Sequence, residues 1–97
     1  MSRQFHVYIL TNRPRGTLYT GVTGNLPARM MQHRAADPRS FTARYNLHRL
    51  VLALPFEDSA PAIAFEKRLK RWARDWKIAL IEKHNPGWDD LFEELNA

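Results

Sequence analysis

Two tyrosines eleven positions apart, Tyr8 and Tyr19, precede an arginine ten positions further on, Arg29, and a histidine one helical turn later, His33. These are the residues whose types and spacing could do chemistry together. Two strands each present one tyrosine, and a helix behind them presents the guanidinium and the imidazole. A guanidinium matches two phosphate oxygens with its planar fork and stays charged at every working pH. The set suits the handling of a phosphodiester. It lacks a carboxylate, and Glu66 is the best candidate to supply one.

Each residue taken alone has an ordinary explanation. Tyr8 and Tyr19 would pack as a cross-strand aromatic pair. Arg29 would be a solvated helix residue, His33 a structural or exposed one. Glu66 would pair with Lys70 at i, i+4, a contact of only some tenths of a kcal/mol. Four such coincidences of spacing are needed for all of these to hold at once.

The positioning elements follow from local pattern. Gln4 to Thr11 alternates as a strand, with Phe5, Val7 and Ile9 on one face and His6, Tyr8 and Leu10 on the other. Asn12-Arg13-Pro14-Arg15-Gly16 is turn chemistry, its glycine free to take a positive φ. Thr17 to Val22 is a second strand, and the short connection predicts an antiparallel hairpin. Asn25 is a good N-cap and Pro27 suits a first turn, so a helix is expected from about Leu26 to about Ala36. Leu26 and Met30 would point inward, with Arg29 and His33 on a neighbouring face.

Asp37 to Ser40 opens a loop that contains Phe41, Arg44 and Tyr45. Leu47 to Leu54 reads as a third, largely buried strand that Pro55 stops. A main helix begins at Ser59 and carries Phe65, Leu69, Trp72 and Trp76 as a core-facing stripe, leaving Glu66, Lys67, Lys70 and Arg71 outside it. A break is expected near Ala73-Arg74, before a helix whose apolar face uses Ile78, Leu80 and Ile81. Asn85-Pro86-Gly87 is a turn, and Trp88 to Leu95 reads as a short acidic helix with Asp89 and Asp90 at its positive end. The tryptophans are expected in core or lid packing rather than as base-stacking platforms. The fold class is α+β, a small three-stranded antiparallel sheet flanked by helices, with one domain over 1–97.

Charge narrows the partners. The chain carries 15 lysines and arginines against 10 acids, and every one of those cations precedes residue 84. A body this basic attracts polyanions, nucleic acid foremost. There is no cysteine, hence no disulfide, thiolate metal site or cysteine nucleophile. No apolar run approaches the ~20 residues that span a bilayer, and the first residues lack a secretory h-region. The expectation is a soluble, cytoplasmic protein with no membrane partner.

Val7-Tyr8-Ile9, Tyr19-Thr20-Gly21, Arg29 and Glu66 together resemble the GIY-YIG nuclease domain, and more narrowly the stand-alone, single-domain GIY-YIG proteins of bacteria. The likeness extends from Phe5 to Leu91 and includes Trp76-Lys77-Ile78-Ala79-Leu80-Ile81 and Asn85-Pro86-Gly87-Trp88. It implies a divalent-metal-dependent cut of a phosphodiester on a three-stranded sheet. Tyr19 would be the general base or would orient the attacking water, with Tyr8 supporting it through a hydrogen bond. Arg29 would hold the scissile phosphate, and His33 would assist in proton transfer or phosphate binding. Glu66 would be the single protein ligand of Mg²⁺ or Mn²⁺, with Asn85 near the metal. The sequence departs from the pattern at Val7, where the name has glycine, and at Thr20, where it has isoleucine. It departs again at Leu52-Ala53-Leu54, where close relatives usually show aromatic residues and a glutamate, and at Phe65, which replaces a common arginine.

The implied chemistry is physically coherent. A phenol with a pKa near 10 costs about 4 kcal/mol to ionise at neutral pH, so a nearby guanidinium and cation are wanted. Magnesium keeps most of its waters and takes one or two carboxylates plus phosphate oxygens. Arg13, Arg15, Arg44, Lys67, Lys70 and Arg71 are the candidates for sequence-independent phosphate contacts. With no recognition helix or zinc-finger spacing, structure-directed cleavage fits better than site-specific restriction. The leading reading is a DNA endonuclease of repair or recombination, with DNA favoured over RNA. The alternatives are a nucleic-acid-binding module without turnover and an interaction subunit that docks a protein partner through the acidic C-terminal helix.

Overall fold

A computed structural model describes residues 4–35 and 39–92. Three strands, β1 (Phe5–Thr11), β2 (Leu18–Thr23) and β3 (Arg49–Phe56), form one antiparallel sheet in the order β2-β1-β3. Helices α1 (Leu26–Arg34), α2 (Phe41–Arg44), α3 (Ser59–Arg71) and α4 (Arg74–His84) surround it. The α+β class and the three-stranded sheet are as the sequence predicts.

β1 is paired on both edges and helices pack on both of its faces, so the period of two separates two cores. Val7 and Ile9 join Val51, Leu52, Ala62, Leu69, Ile81 and Trp88 on one side, under α3 and α4. Tyr8 and Leu10 join Leu26, Met30, Leu47 and Leu50 on the other, under α1. Cross-strand register sets Tyr8 opposite Gly21 and Leu10 opposite Tyr19.

The hairpin turn closes with Gly16 N–H donating to the Arg13 carbonyl at 2.9 Å and Thr17 N–H to Asn12 Oδ1 at 3.0 Å. Here the expected role of glycine is corrected. Arg15, not Gly16, takes the positive φ, at 57°. Gly16 is required for space, because a Cβ there would overlap the Asn12 carboxamide oxygen.

Several boundaries also differ from expectation. β3 runs through Pro55 to Phe56, paired with His6 and Phe5. A proline is tolerated there because β3 is an edge strand, so one of its sides needs no N–H for a ladder. Residues 41–44 form a single helical turn where a loop was expected, started by Ala43 N–H donating to Ser40 Oγ at 3.2 Å. α1 is capped as predicted, with Ala28 N–H donating to Asn25 Oδ1 at 3.2 Å. Its expected last residue, Ala36, lies outside the described residues, as do 37 and 38.

α3 stops because Trp72 and Ala73 turn extended, with ψ of 146° and 147°, before α4 begins. The predicted stripe therefore does not cross the break. The buried face of α3 is Ala62, Glu66 and Leu69, and Trp76, on α4, is 65% exposed rather than core. The acidic helix expected from Trp88 does not begin there. Trp88 takes a φ of 56°, and residues 88–90 run irregularly along the edge of β3. Asp90 accepts from Leu50 N–H at 3.2 Å and Phe92 N–H at 3.0 Å, and Leu91 N–H donates to the Leu50 carbonyl at 2.8 Å. The segment thus covers part of an otherwise open sheet edge. Residues 93–97 of the predicted helix lie outside the described residues.

Candidate nuclease site

The first tyrosine is wholly buried, and its hydroxyl is the meeting point of the site. His33 Nε2 lies 2.9 Å from it and Arg29 Nε 3.3 Å. A guanidinium can only donate, so the Tyr8 oxygen accepts from Arg29 and its proton is left for His33 Nε2. His33 must then be neutral at that nitrogen. Burial first, then the charges of Arg29 and His48, push its pKa below the usual histidine value, which agrees with this polarity. Burial pushes Tyr8 above the usual phenol range against the opposing pull of the Arg29 hydrogen bond. Tyr8 is therefore a neutral phenol that anchors both side chains.

Tyr19 completes the wall from the next strand. Its ring centroid is 5.4 Å from that of His33, edge-on at 70°, and 6.4 Å from that of Tyr8. Both phenols act on Arg29, whose own pKa they raise, Tyr8 through its hydrogen bond most of all. Arg29 Nη1 also donates to Gln32 Oε1 at 3.2 Å, which orients the fork from a neighbouring turn of α1.

Gly21 makes this packing possible. A Cβ built on it would lie 2.5 Å from both Cζ and Oη of Tyr8. The glycine that follows the second tyrosine by two residues is thus a slot for the first tyrosine's ring.

Glu66 comes from α3, 6% exposed between Ala62 and Leu69. Its charge is the least of the causes that bear on the raised Tyr8 pKa. Lys70 Nζ pairs with Glu66 Oε1 at 2.5 Å. No group of three or more His, Cys, Asp or Glu gathers among the described residues. One buried carboxylate with water and phosphate oxygens is a donor set for a hard divalent cation of the magnesium type. The residues present fit such an ion.

The remaining candidates are engaged in other contacts or face solvent. Arg15 is tied to Glu82 on α4 through two bonds, at 3.0 and 3.2 Å, while Arg13 is exposed in the hairpin turn. Arg44 lies 5.7 Å over the Tyr45 ring on α2's end, and Lys67 and Arg71 are exposed on α3. Asn85 is buried, its Nδ2 donating to the Val51 carbonyl at 3.1 Å and the Asp89 carbonyl at 2.9 Å. Val51 is the extra residue at the register step of β3, whose bulge leaves a backbone group for Asn85 to satisfy. Sequence reasoning missed Gln32 and His48. Gln32 was findable from its i+3 relation to Arg29. His48, just before β3, carries no spacing signal.

The profile of the GIY-YIG catalytic domain matches residues 4–79. A UPF0213 protein of Oceanobacillus iheyensis is 33% identical over 82 residues, covering 84% of this chain and 94% of its own length. One from Cupriavidus pinatubonensis is 29% identical over 83 residues, covering 86% and 91%. The solution NMR structure of a UPF0213 protein from Bacillus halodurans matches with a TM-score of 0.57 at 24% identity, covering 93% of this chain and 95% of that one. That structure shares the fold. No helix among the described residues is long and apolar enough to cross a membrane. With both tyrosine strands, the arginine helix and the glutamate helix inside the matched span, the chain belongs to the GIY-YIG nuclease family, among its small UPF0213 members.

Proposed function

We propose that this protein is a divalent-metal-dependent endonuclease that hydrolyses phosphodiester bonds in DNA, directed by structure more than by sequence, in repair or recombination. The observation that carries the reading is the convergence of Tyr8, His33 and Arg29 on one hydroxyl, with the Tyr19 ring against His33.

In this reading Arg29 is the phosphate clamp: Nε is held by Tyr8 and Nη1 by Gln32, so the guanidinium is oriented before substrate arrives. Tyr19 orients the attacking water or takes its proton, beside the Arg29 guanidinium. Tyr8 is already engaged with His33 and Arg29, so its part is to fix both. His33, kept neutral by burial and by its cationic neighbour, is free to take a proton through the Tyr8 hydroxyl. Glu66 would hold the metal, giving up Lys70 to do so, and the bound ion would supply charge neutralisation at the leaving oxygen. Lys70 would then be available to a phosphate oxygen.

The test is cleavage of single-stranded, branched and duplex DNA with Mg²⁺ or Mn²⁺ by wild type, Glu66→Ala and Tyr19→Phe. Metal-dependent nicking that both variants lose is expected. Equal nicking by Glu66→Ala removes the metal-ligand assignment. Binding without cleavage by wild type removes the enzyme.

A further inference from the structure

The cleft where α3 breaks into α4 is lined by Arg68, Arg71, Trp72, Ala73 and Trp76; it is open to solvent, with a volume of about 320 Å³. It contains none of the tyrosine-wall residues. We propose that it is a stacking site for an unpaired nucleobase, with Arg68 and Arg71 taking the phosphates beside that base.

Four aromatic rings climb from the sheet to solvent. Phe56 packs on Phe65 at 5.7 Å, Phe65 edge-on to Trp72 at 6.1 Å, and Trp72 edge-on to Trp76 at 6.1 Å and 83°. The outermost ring, Trp76, is 65% exposed. An indole that is exposed yet packed against a neighbouring ring loses little freedom when a flat ligand lands on it.

Charge selects that ligand. No carboxylate lines the cleft, and neither Arg68 nor Arg71 forms an ion pair among the described residues. Arg68 lies 5.9 Å over the Phe65 ring, which sets its guanidinium at the cleft wall. An anion with a flat aromatic face answers both features, and single-stranded nucleic acid is the polymer of such units.

The cleft lies at the C-terminal end of α3, the helix that also carries Glu66. The protein would prefer substrates that are unpaired there. This rests on the nucleic-acid reading above, and deepens it.

The experiment measures fluorescence anisotropy of a labelled 12-nucleotide oligo-dT, an abasic strand of equal length and a 12-bp duplex, in EDTA. Trp76→Ala should bind oligo-dT about tenfold more weakly and the abasic strand as wild type does. Trp76→Phe should recover most of the loss. Arg68→Ala with Arg71→Ala should weaken both strands and lower the salt slope by about 1.4. Trp76→Leu keeps apolar bulk without a ring and should behave like Trp76→Ala, which guards against a folding artefact together with circular dichroism. Unchanged oligo-dT binding by Trp76→Ala, or an equal loss on the abasic strand, overturns the proposal and leaves the cleft to a partner of another class. Cleavage with Mn²⁺ is read separately. Wild type that stacks a base yet never cuts refutes only the nuclease, whereas wild type that cuts while Trp76→Ala binds unchanged refutes only the stacking site.

Discussion

Gly21→Ala tests the packing of the site with a single methyl group. The added Cβ would lie 2.5 Å from Tyr8 Cζ and Oη and 3.0 Å from Cε1. Carbon atoms pack at about 3.5–4.0 Å, so the ring must withdraw by roughly 1 Å. The hydroxyl has no slack for that, since it is held 2.9 Å from His33 Nε2 and 3.3 Å from Arg29 Nε. Overpacking costs about 1–3 kcal/mol, and a lost buried hydrogen bond about 1 more. For a domain of this size the melting temperature should fall by roughly 10 °C or more. If the protein cuts phosphodiesters, a 1 Å misplacement of this group should slow it on the order of a hundredfold. The assay is thermal unfolding by circular dichroism, with the titration of the His33 ring followed by NMR. A cycle with Tyr8→Leu, which removes the atoms that Cβ meets, should abolish most of the cost of the alanine. An alanine variant that melts with wild type and titrates identically at His33 refutes the packing argument.

Three further outcomes follow from the same geometry. Tyr8→Phe removes the donor to His33 and the acceptor for Arg29; it should cost about 1–3 kcal/mol, read by urea unfolding, and a variant as stable as wild type contradicts this. His33 and His6 both have pKa values lowered by burial, so the unfolded chain protonates first as pH falls through about 6.5. Stability should therefore be full above that pH and decline below it, by at most ~1.4 kcal/mol per pH unit for each group; a melting temperature that stays flat or rises between pH 7 and 5.5 contradicts this. Asn85→Ala leaves the Val51 and Asp89 carbonyls without their donor and should destabilise by about 2–4 kcal/mol while leaving Mn²⁺ affinity as in wild type. Loss of metal binding at preserved stability would instead put Asn85 at the metal.

Legibility in the sequence followed the range of the interactions. The hairpin, the two faces of β1 and the Asn25 cap were readable because each is decided within a few residues by side-chain alternation or a single capping oxygen. The wall of Tyr8, Tyr19, Arg29 and His33 was readable for the same reason, since one hairpin and the next helix carry all four. Trp76 was misread because the stripe was counted across a break that two extended residues, Trp72 and Ala73, impose. Glu66 was set on the polar side of α3 because a carboxylate on the core face contradicts ordinary patterning. Such a conflict between burial and chemistry belongs to functional positions. Trp88 to Asp90 looked like a helix start because acids there suit a helix dipole. Long-range bonds to Leu50 decide the segment instead, and nothing local announces them.

Arg34 sits at the end of α1 that carries His33, and the far end of the described chain grips it. Its Nη2 donates to Asp90 Oδ2 at 2.9 Å and to the His48 carbonyl at 2.8 Å, and its guanidinium lies 4.1 Å over the Phe92 ring. A growing polypeptide that has emerged only as far as Pro86 would already own every group of the tyrosine wall and the glutamate. It would hold the helix bearing Arg29 and His33 without that brace. The order of synthesis thus supplies the residues of the wall before the contacts that brace the helix carrying two of them.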